Sequence, residues 1–411
     1  MSLVKKMVFL AAALAPLFIT GSIGVNVGPP AASLSVSKRY VNSPPRSRAF
    51  SVLTNGSSIP AGGAVWPTAI YWTEVKVGTP PKTFPVAIDS GSGALDISGV
   101  NCDGCPTAPP NNQYDHAASS TSNAAFPYIF SNSYQTCDLK DPTAVCTISG
   151  KLYKDQVSLA GIGPVEVTVG SIAKQTTNFD QFAEIGGVMG FTGGSQENVF
   201  SQLVASAKCD NVWALCMHPG AKSNGTITIG GVDSRLSVNG HVDYVDDVGF
   251  GFHSVNVASM VLGSGKTIKV GKSAILDTGT NILLAPSQVM SELKTSMCSS
   301  SSSSPLPHCN DLWNNKCVDL TDDQVAAYPP LTMSLDGNLK LEMSSRDYLL
   351  RGSPLASSAT QYCLGIRDGG SAGGSGFIIG DTTMRNYYLV FHLDEKKIGW
   401  GKVNEKMCGS I

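Results

Sequence analysis

The chain has 411 residues and is 42% hydrophobic, enough for two domains or one large one around a sizeable core. Only 15% of it is charged, and Gly, Ser and Thr fill the gap, as is common in β-rich extracellular proteins. A formal net charge of -2 with no basic run excludes nucleic acid as a partner.

The N-terminus reads as a secretory signal over residues 1–22. Lys5 and Lys6 precede an apolar stretch from Met7 to Ile19, and Thr20-Gly21-Ser22 supplies small residues for cleavage. That stretch is too short to span a bilayer comfortably, and no later one reaches spanning length. The last residues carry no lipid-anchor tail, so no stable membrane anchor is expected. Residues 23–61 are rich in Pro, Ser and Ala and carry Lys38, Arg39, Arg46 and Arg48. This composition fits a disordered linker, or a basic propeptide that covers acidic groups until it is cleaved.

From residue 70 the texture becomes strand and turn. Short apolar or alternating runs at 70–77, 84–88, 156–159, 165–169, 212–217 and 226–229 are predicted strands. Gly78-Thr79-Pro80-Pro81, Gly161 and Gly163-Pro164 bound them, and Asn224-Gly225 predicts a hairpin turn. Two amphipathic helices are predicted, one through Val199, Phe200, Leu203, Val204 and Ala207, the other through Val289, Met290, Leu293 and Met297. The six serines 299–304 read as a surface insertion. The glycine-rich run 369–376 lacks the Lys of a phosphate-binding loop, which argues against nucleotide.

Eleven cysteines fit an oxidising compartment, with at least one outside any intrachain pair. Cys102-Asp103-Gly104-Cys105 reads as a loop staple rather than a redox motif. With no second C-x-x-C and six scattered histidines, no metal and no cofactor is expected. Asn55 and Asn224 open the two glycosylation sequons.

The chemistry is concentrated in two stretches, Val86-Ala87-Ile88-Asp89-Ser90-Gly91-Ser92 and Ala274-Ile275-Leu276-Asp277-Thr278-Gly279-Thr280. Each is an apolar run, an Asp, a hydroxyl residue, a Gly and a second hydroxyl residue. A matching apolar-apolar-Gly segment follows each: Val188-Met189-Gly190 ends 101 residues after Asp89, and Ile378-Ile379-Gly380 ends 103 after Asp277. A repeat of that length implies two similar lobes, each presenting one carboxylate. Two adjacent carboxylates cannot both ionise cheaply, so they share a proton and serve as general acid and base together.

These motifs, with the closing run Ile378-Ile379-Gly380-Asp381 through Trp400, resemble the pepsin-like aspartic proteases over residues 70–403. The resemblance implies a mainly β, bilobal acid-protease fold with a cleft between pseudo-twofold-related lobes, here 62–236 and 237–411. It implies a monomeric, secreted aspartic endopeptidase, made as a zymogen and acting on polypeptides with apolar residues flanking the scissile bond. An acidic vacuole is the alternative location.

In this resemblance Asp89 and Asp277 are catalytic, and Ser90, Gly91, Ser92, Thr278, Gly279 and Thr280 support them. Tyr134 is the candidate for the flap that closes over substrate; Phe179 and Phe182, closer to Gly190 in sequence, read either as walls of an apolar subsite or as core packing. The segment Gly93-Ala94-Leu95-Asp96-Ile97 carries no Trp where the family usually has one to hold the flap Tyr. Cys102 with Cys105, Cys317 with Cys363 and Cys216 with Cys408 match family bridges. Cys298 with Cys309 closes the serine insertion and Cys137 with Cys146 staples the flap, leaving Cys209 over; a Cys209–Cys216 bridge is the rival. The alternative function is a catalytically silent binding or inhibitor protein on the same fold.

Overall fold

The computed structural model describes residues 57–64, 70–105, 113–135, 144–176, 185–192, 198–218, 224–249, 251–263, 265–299, 306–353, 355–372 and 374–410. The expected signal, most of the 23–61 segment, Asn55, Cys137, Phe179, Phe182 and most of the serine run lie outside them.

The first half builds β1 (Ser57–Ala64), β2 (Ile70–Val77), β3 (Lys82–Asp89), β4 (Leu95–Asp103), β5 (Asn123–Gln135), β6 (Val145–Leu159), β7 (Ile162–Gln175), β8 (Gly187–Gly190), β9 (Val212–Met217) and β10 (Asn224–Ile229). The second half builds β11 (Asp243–Asp246), β12 (Ser254–Leu262), β13 (Thr267–Leu276), β14 (Leu283–Ala285), β15 (Val318–Asp319), β16 (Leu331–Leu335), β17 (Lys340–Met343), β18 (Leu349–Arg351), β19 (Gln361–Leu364), β20 (Ile366–Asp368), β21 (Ile378–Ile379), β22 (Tyr387–His392) and β23 (Lys397–Lys402).

A 13-stranded sheet runs in the order β11-β23-β22-β9-β10-β1-β2-β3-β8-β4-β7-β6-β5, and a 7-stranded sheet in the order β17-β16-β12-β13-β21-β14-β20. The protein is thus mainly β and bilobal, as the motifs implied, with a few short helices. The large sheet crosses the 236/237 division, because β22, β23 and β11 from the second half extend it. β1 likewise runs through residue 61, where composition suggested a boundary, and is paired on both sides by β10 and β2.

Local patterns explain the elements. Along β2, Tyr71, Thr73, Val75 and Val77 are buried while Glu74 and Lys76 face out, the period of a half-buried strand. β9 is buried at every position, as a strand covered on both faces must be. Its Trp213 stacks on Phe391 of β22 at 4.1 Å, joining the two halves through a fully buried contact. Both expected helices form. In α1 (Val199–Ala207) the Asn198 side chain caps the Ser201 N–H at 2.7 Å, and in α2 (Ser287–Met297) Val289, Leu293 and Met297 turn inward.

The Asn224-Gly225 expectation is corrected: both residues belong to β10, with Gly225 opposite Met217, and the connection precedes them. A Cβ at Gly225 would meet the Cys216 carbonyl at 2.5 Å, so this Gly serves a close strand approach rather than a turn. Four bridges form as expected, Cys102–Cys105, Cys216–Cys408, Cys298–Cys309 and Cys317–Cys363. The second of these displaces the Cys209–Cys216 alternative.

Candidate active site

The same arrangement occurs twice. β3 delivers Asp89 and pairs in parallel with β8, placing Asp89 beside Gly190. β13 ends at Leu276 and pairs in parallel with β21, so that Asp277 follows directly and its N–H donates to the Ile379 carbonyl at 3.1 Å. In each half a short strand returns antiparallel across the second segment: β4 sets Asp96 opposite Val188, and β14 sets Leu284 opposite Ile378.

The two loops grip each other at their base. Ser90 N–H donates to Thr278 Oγ1 and Thr278 N–H to Ser90 Oγ, both at 3.0 Å. The hydroxyls donate onward into the opposite strand, Ser90 Oγ to the Leu276 carbonyl at 2.9 Å and Thr278 Oγ1 to the Ile88 carbonyl at 2.7 Å. All four groups are buried, so each bond satisfies atoms that water does not reach.

Each carboxylate is then held by two donors. Gly91 N–H reaches Asp89 Oδ1 and Gly279 N–H reaches Asp277 Oδ1, each at 2.8 Å. Ser92 Oγ donates to Asp89 Oδ2 at 2.5 Å and Thr280 Oγ1 to Asp277 Oδ2 at 2.6 Å. The glycines are needed for space. A Cβ on Gly91 would lie 2.7 Å from Asp277 Oδ1, and one on Gly279 would lie 2.8 Å from Asp89 Oδ1. The glycine of each loop thus packs against the carboxyl of the other, which brings the two carboxyl groups together. Burial, and then the charge of Asp277, push the Asp89 carboxyl upward; the proton belongs to the pair.

The pair opens into a cleft of about 1320 Å³ lined from both halves, including Ala87, Thr192, Ile275 and Ile378. Among the described residues lining it, the charged ones are Asp89, Asp96 and Asp277. Tyr134, on β5, lines the same cleft and donates from its hydroxyl to Asp96 Oδ2 at 3.4 Å. The described residues contain no cluster of three or more His, Cys, Asp or Glu placed to hold a metal ion, and no helix long and apolar enough to cross a membrane. Asn224 is exposed at the start of β10.

Three acidic or basic groups near the pair were not assigned roles from sequence. Asp96 is 1% exposed beneath Tyr134. Asp381 is fully buried one residue after Gly380; burial and Asp277 hold its carboxyl well above the usual range, with Arg385 acting the other way. His253 joins the halves: Nδ1 lies 2.6 Å from Asp247 Oδ2 and Nε2 lies 3.1 Å from the Phe191 carbonyl, while Phe191 N–H donates to the Asp89 carbonyl at 2.8 Å. The available signal was a charged residue set inside an apolar run, as in Leu95-Asp96-Ile97 and Gly380-Asp381.

Residues 70–403 match the family described as eukaryotic aspartyl protease. The chain is 26% identical to aspartic proteinase 39 of Arabidopsis thaliana, over 84% of this chain and 77% of the relative. It is 26% identical to cathepsin D of Canis lupus familiaris, over 84% and 83%, and 24% identical to pepsin A of Suncus murinus, over 81% and 81%.

Proposed function

Because this chain belongs to the eukaryotic aspartyl protease family, we propose that it is a secreted endopeptidase, made as a zymogen, that hydrolyses peptide bonds with Asp89 and Asp277 as one acid–base unit. The observation that carries this reading is the position of the two carboxyls together, each against the other loop's glycine, in a cleft drawn from both halves. Two carboxyls sharing one proton is the arrangement known for aspartic proteases.

In the proposed reaction a water sits between the pair. The ionised carboxyl takes its proton as the water oxygen attacks the scissile carbonyl carbon. The protonated carboxyl donates to the carbonyl oxygen, giving a tetrahedral diol. Collapse breaks the C–N bond: the newly protonated carboxyl gives its proton to the departing amine, and a diol hydroxyl returns a proton to the ionised carboxyl as the new carbonyl forms. The Gly91 and Gly279 amides and the Ser92 and Thr280 hydroxyls hold both carboxyls in place without reorganisation. Activity falls as rising pH removes the shared proton, so the working range is acidic. Phe130, Ile148 and Leu152 in the lining support a preference for apolar side chains near the scissile bond.

The test is incubation of the purified, acid-treated protein with a denatured protein substrate, with and without pepstatin. Pepstatin-sensitive fragments from the parent, and none from Asp89→Asn or Asp277→Asn, are expected. No cleavage by the parent, or equal cleavage by both variants, overturns the reading.

A further inference from the structure

Asp96 is the one charged side chain lining the described cleft, besides the pair itself, and the proposed mechanism does not use it. It sits in the middle of the sheet, on β4, with Val188 of β8 on one side and Gly170 of β7 on the other. Two donors from β5 converge on its Oδ2: Asn132 Nδ2 at 2.8 Å and the Tyr134 hydroxyl at 3.4 Å. Residues 132 and 134 share one face of that strand, so both reach down from the same side. Ser92, whose Oγ donates to Asp89 Oδ2 at 2.5 Å, lines the same cleft as Asp96 and Tyr134.

The site is shaped around this carboxyl. Its Oδ1 packs against Gly170, where a Cβ would lie 2.0 Å away, and has no hydrogen-bond partner. No described lining residue supplies a cation to neutralise it. Burial raises it to about 6, so it is largely neutral in acid, where the proposed reaction runs. At the matching position seven residues after Asp277, the second half has the fully buried Leu284. A carboxyl at this depth, with one oxygen unbonded, is unfavourable for folding alone. Its hydrogen-bond partners, Asn132 and Tyr134, are on a strand that lines the same cleft as the pair.

We propose that Asp96 is a positioning residue: it clasps β5 through Asn132 and Tyr134, and so sets how firmly that strand closes over a bound polypeptide above Asp89 and Asp277. The proposal rests on the endopeptidase reading. Its test has one arm that needs no activity.

Hydrogen exchange of the amides of 123–135 is measured in the intact protein, together with kcat and KM on a synthetic peptide substrate, for Asp96→Ala, Asp96→Asn, Asn132→Ala, Tyr134→Phe and the Asp96→Ala/Tyr134→Phe pair. Loss of the clasp in Asp96→Ala is expected to speed exchange in β5 and raise KM about tenfold, with kcat within about threefold. Asp96→Asn keeps an acceptor oxygen and is expected to recover most of the loss. Asn132→Ala, which leaves the buried carboxyl in place, shifts exchange and KM in the same direction. The double variant is expected to lose little more than either single one. Unchanged β5 exchange and KM in both Asp96→Ala and Asn132→Ala, or independent additive losses in the pair, overturn the clasp even if the parent cleaves peptides. Responsive exchange in a parent that cleaves nothing supports the clasp and removes the endopeptidase reading instead.

Discussion

The loops that carry Asp89 and Asp277 hold their carboxyls with matching donors at matching lengths, a Gly amide at 2.8 Å and a hydroxyl at 2.5 or 2.6 Å. One layer out, the match ends. Asp96 under β5 stands where the second half has Leu284, and Phe191 after Gly190 stands where the second half has the buried Asp381. In the first half β5, β6 and β7 run 13, 15 and 14 residues and β5 lines the cleft, whereas β12 and β13 of the second half run 9 and 10. A shared proton requires similar surroundings at both carboxyls, which keeps the inner layer symmetric. A polypeptide runs in one direction, so the surface that receives it has no reason to be.

The strongest way to break the symmetric half of this comparison is to fill the space between the loops. Gly91→Ala and Gly279→Ala each put a Cβ within 2.8 Å of the opposite carboxyl. Each is expected to lower kcat by about 100-fold or more, because small displacements of reacting groups cost that much. Far-ultraviolet circular dichroism should show the fold intact, and a loss confined to one of the two would contradict equal roles.

The grip beneath should cost stability from either side. Ser90→Ala and Thr278→Ala each orphan a buried N–H and a buried carbonyl, and each is expected to lower unfolding free energy by about 2–5 kcal/mol in chemical denaturation. A change under about 1 kcal/mol in either would show that the loops do not depend on this crossing.

Asp96 sharpens the asymmetric half. A carboxyl held at about 6 in the folded protein, above its ordinary value, stabilises fully in acid and loses that contribution as pH rises through 6. Against Asp96→Asn, the parent is therefore expected to lose about 3 kcal/mol of stability between about pH 3 and about pH 7. Denaturation across that range checks it, and parallel stability curves would contradict it. The smallest effect belongs to the exposed apolar residues of β5. Phe126→Ser and Ile129→Ser should move stability by about 0.5 kcal/mol or less, as measured by thermal unfolding.

The inner layer was readable in sequence because it is written twice. Two Asp motifs at nearly equal distances from two apolar-apolar-Gly segments specify a pair of loops without any knowledge of packing. The clasp was not readable, because Asp96 meets Asn132 and Tyr134 only through the pairing of distant strands. From sequence, Asp96 marked only an absent Trp. Asn224-Gly225 misled for a related reason: a Gly that lets strands approach and a Gly that turns a hairpin are the same letter. The predicted strands 70–77 and 212–217 were clear because alternation and continuous burial leave different patterns.

The central claim is that Asp89 and Asp277 act as one unit, and it is tested most directly by kcat on a peptide substrate at acidic pH for Asp89→Asn, Asp277→Asn and the double variant. Each single variant is expected to lose at least about 10³-fold, and the double variant hardly more than either. A single variant that stays within about tenfold of the parent, or a double loss equal to the product of the two single losses, would contradict the account.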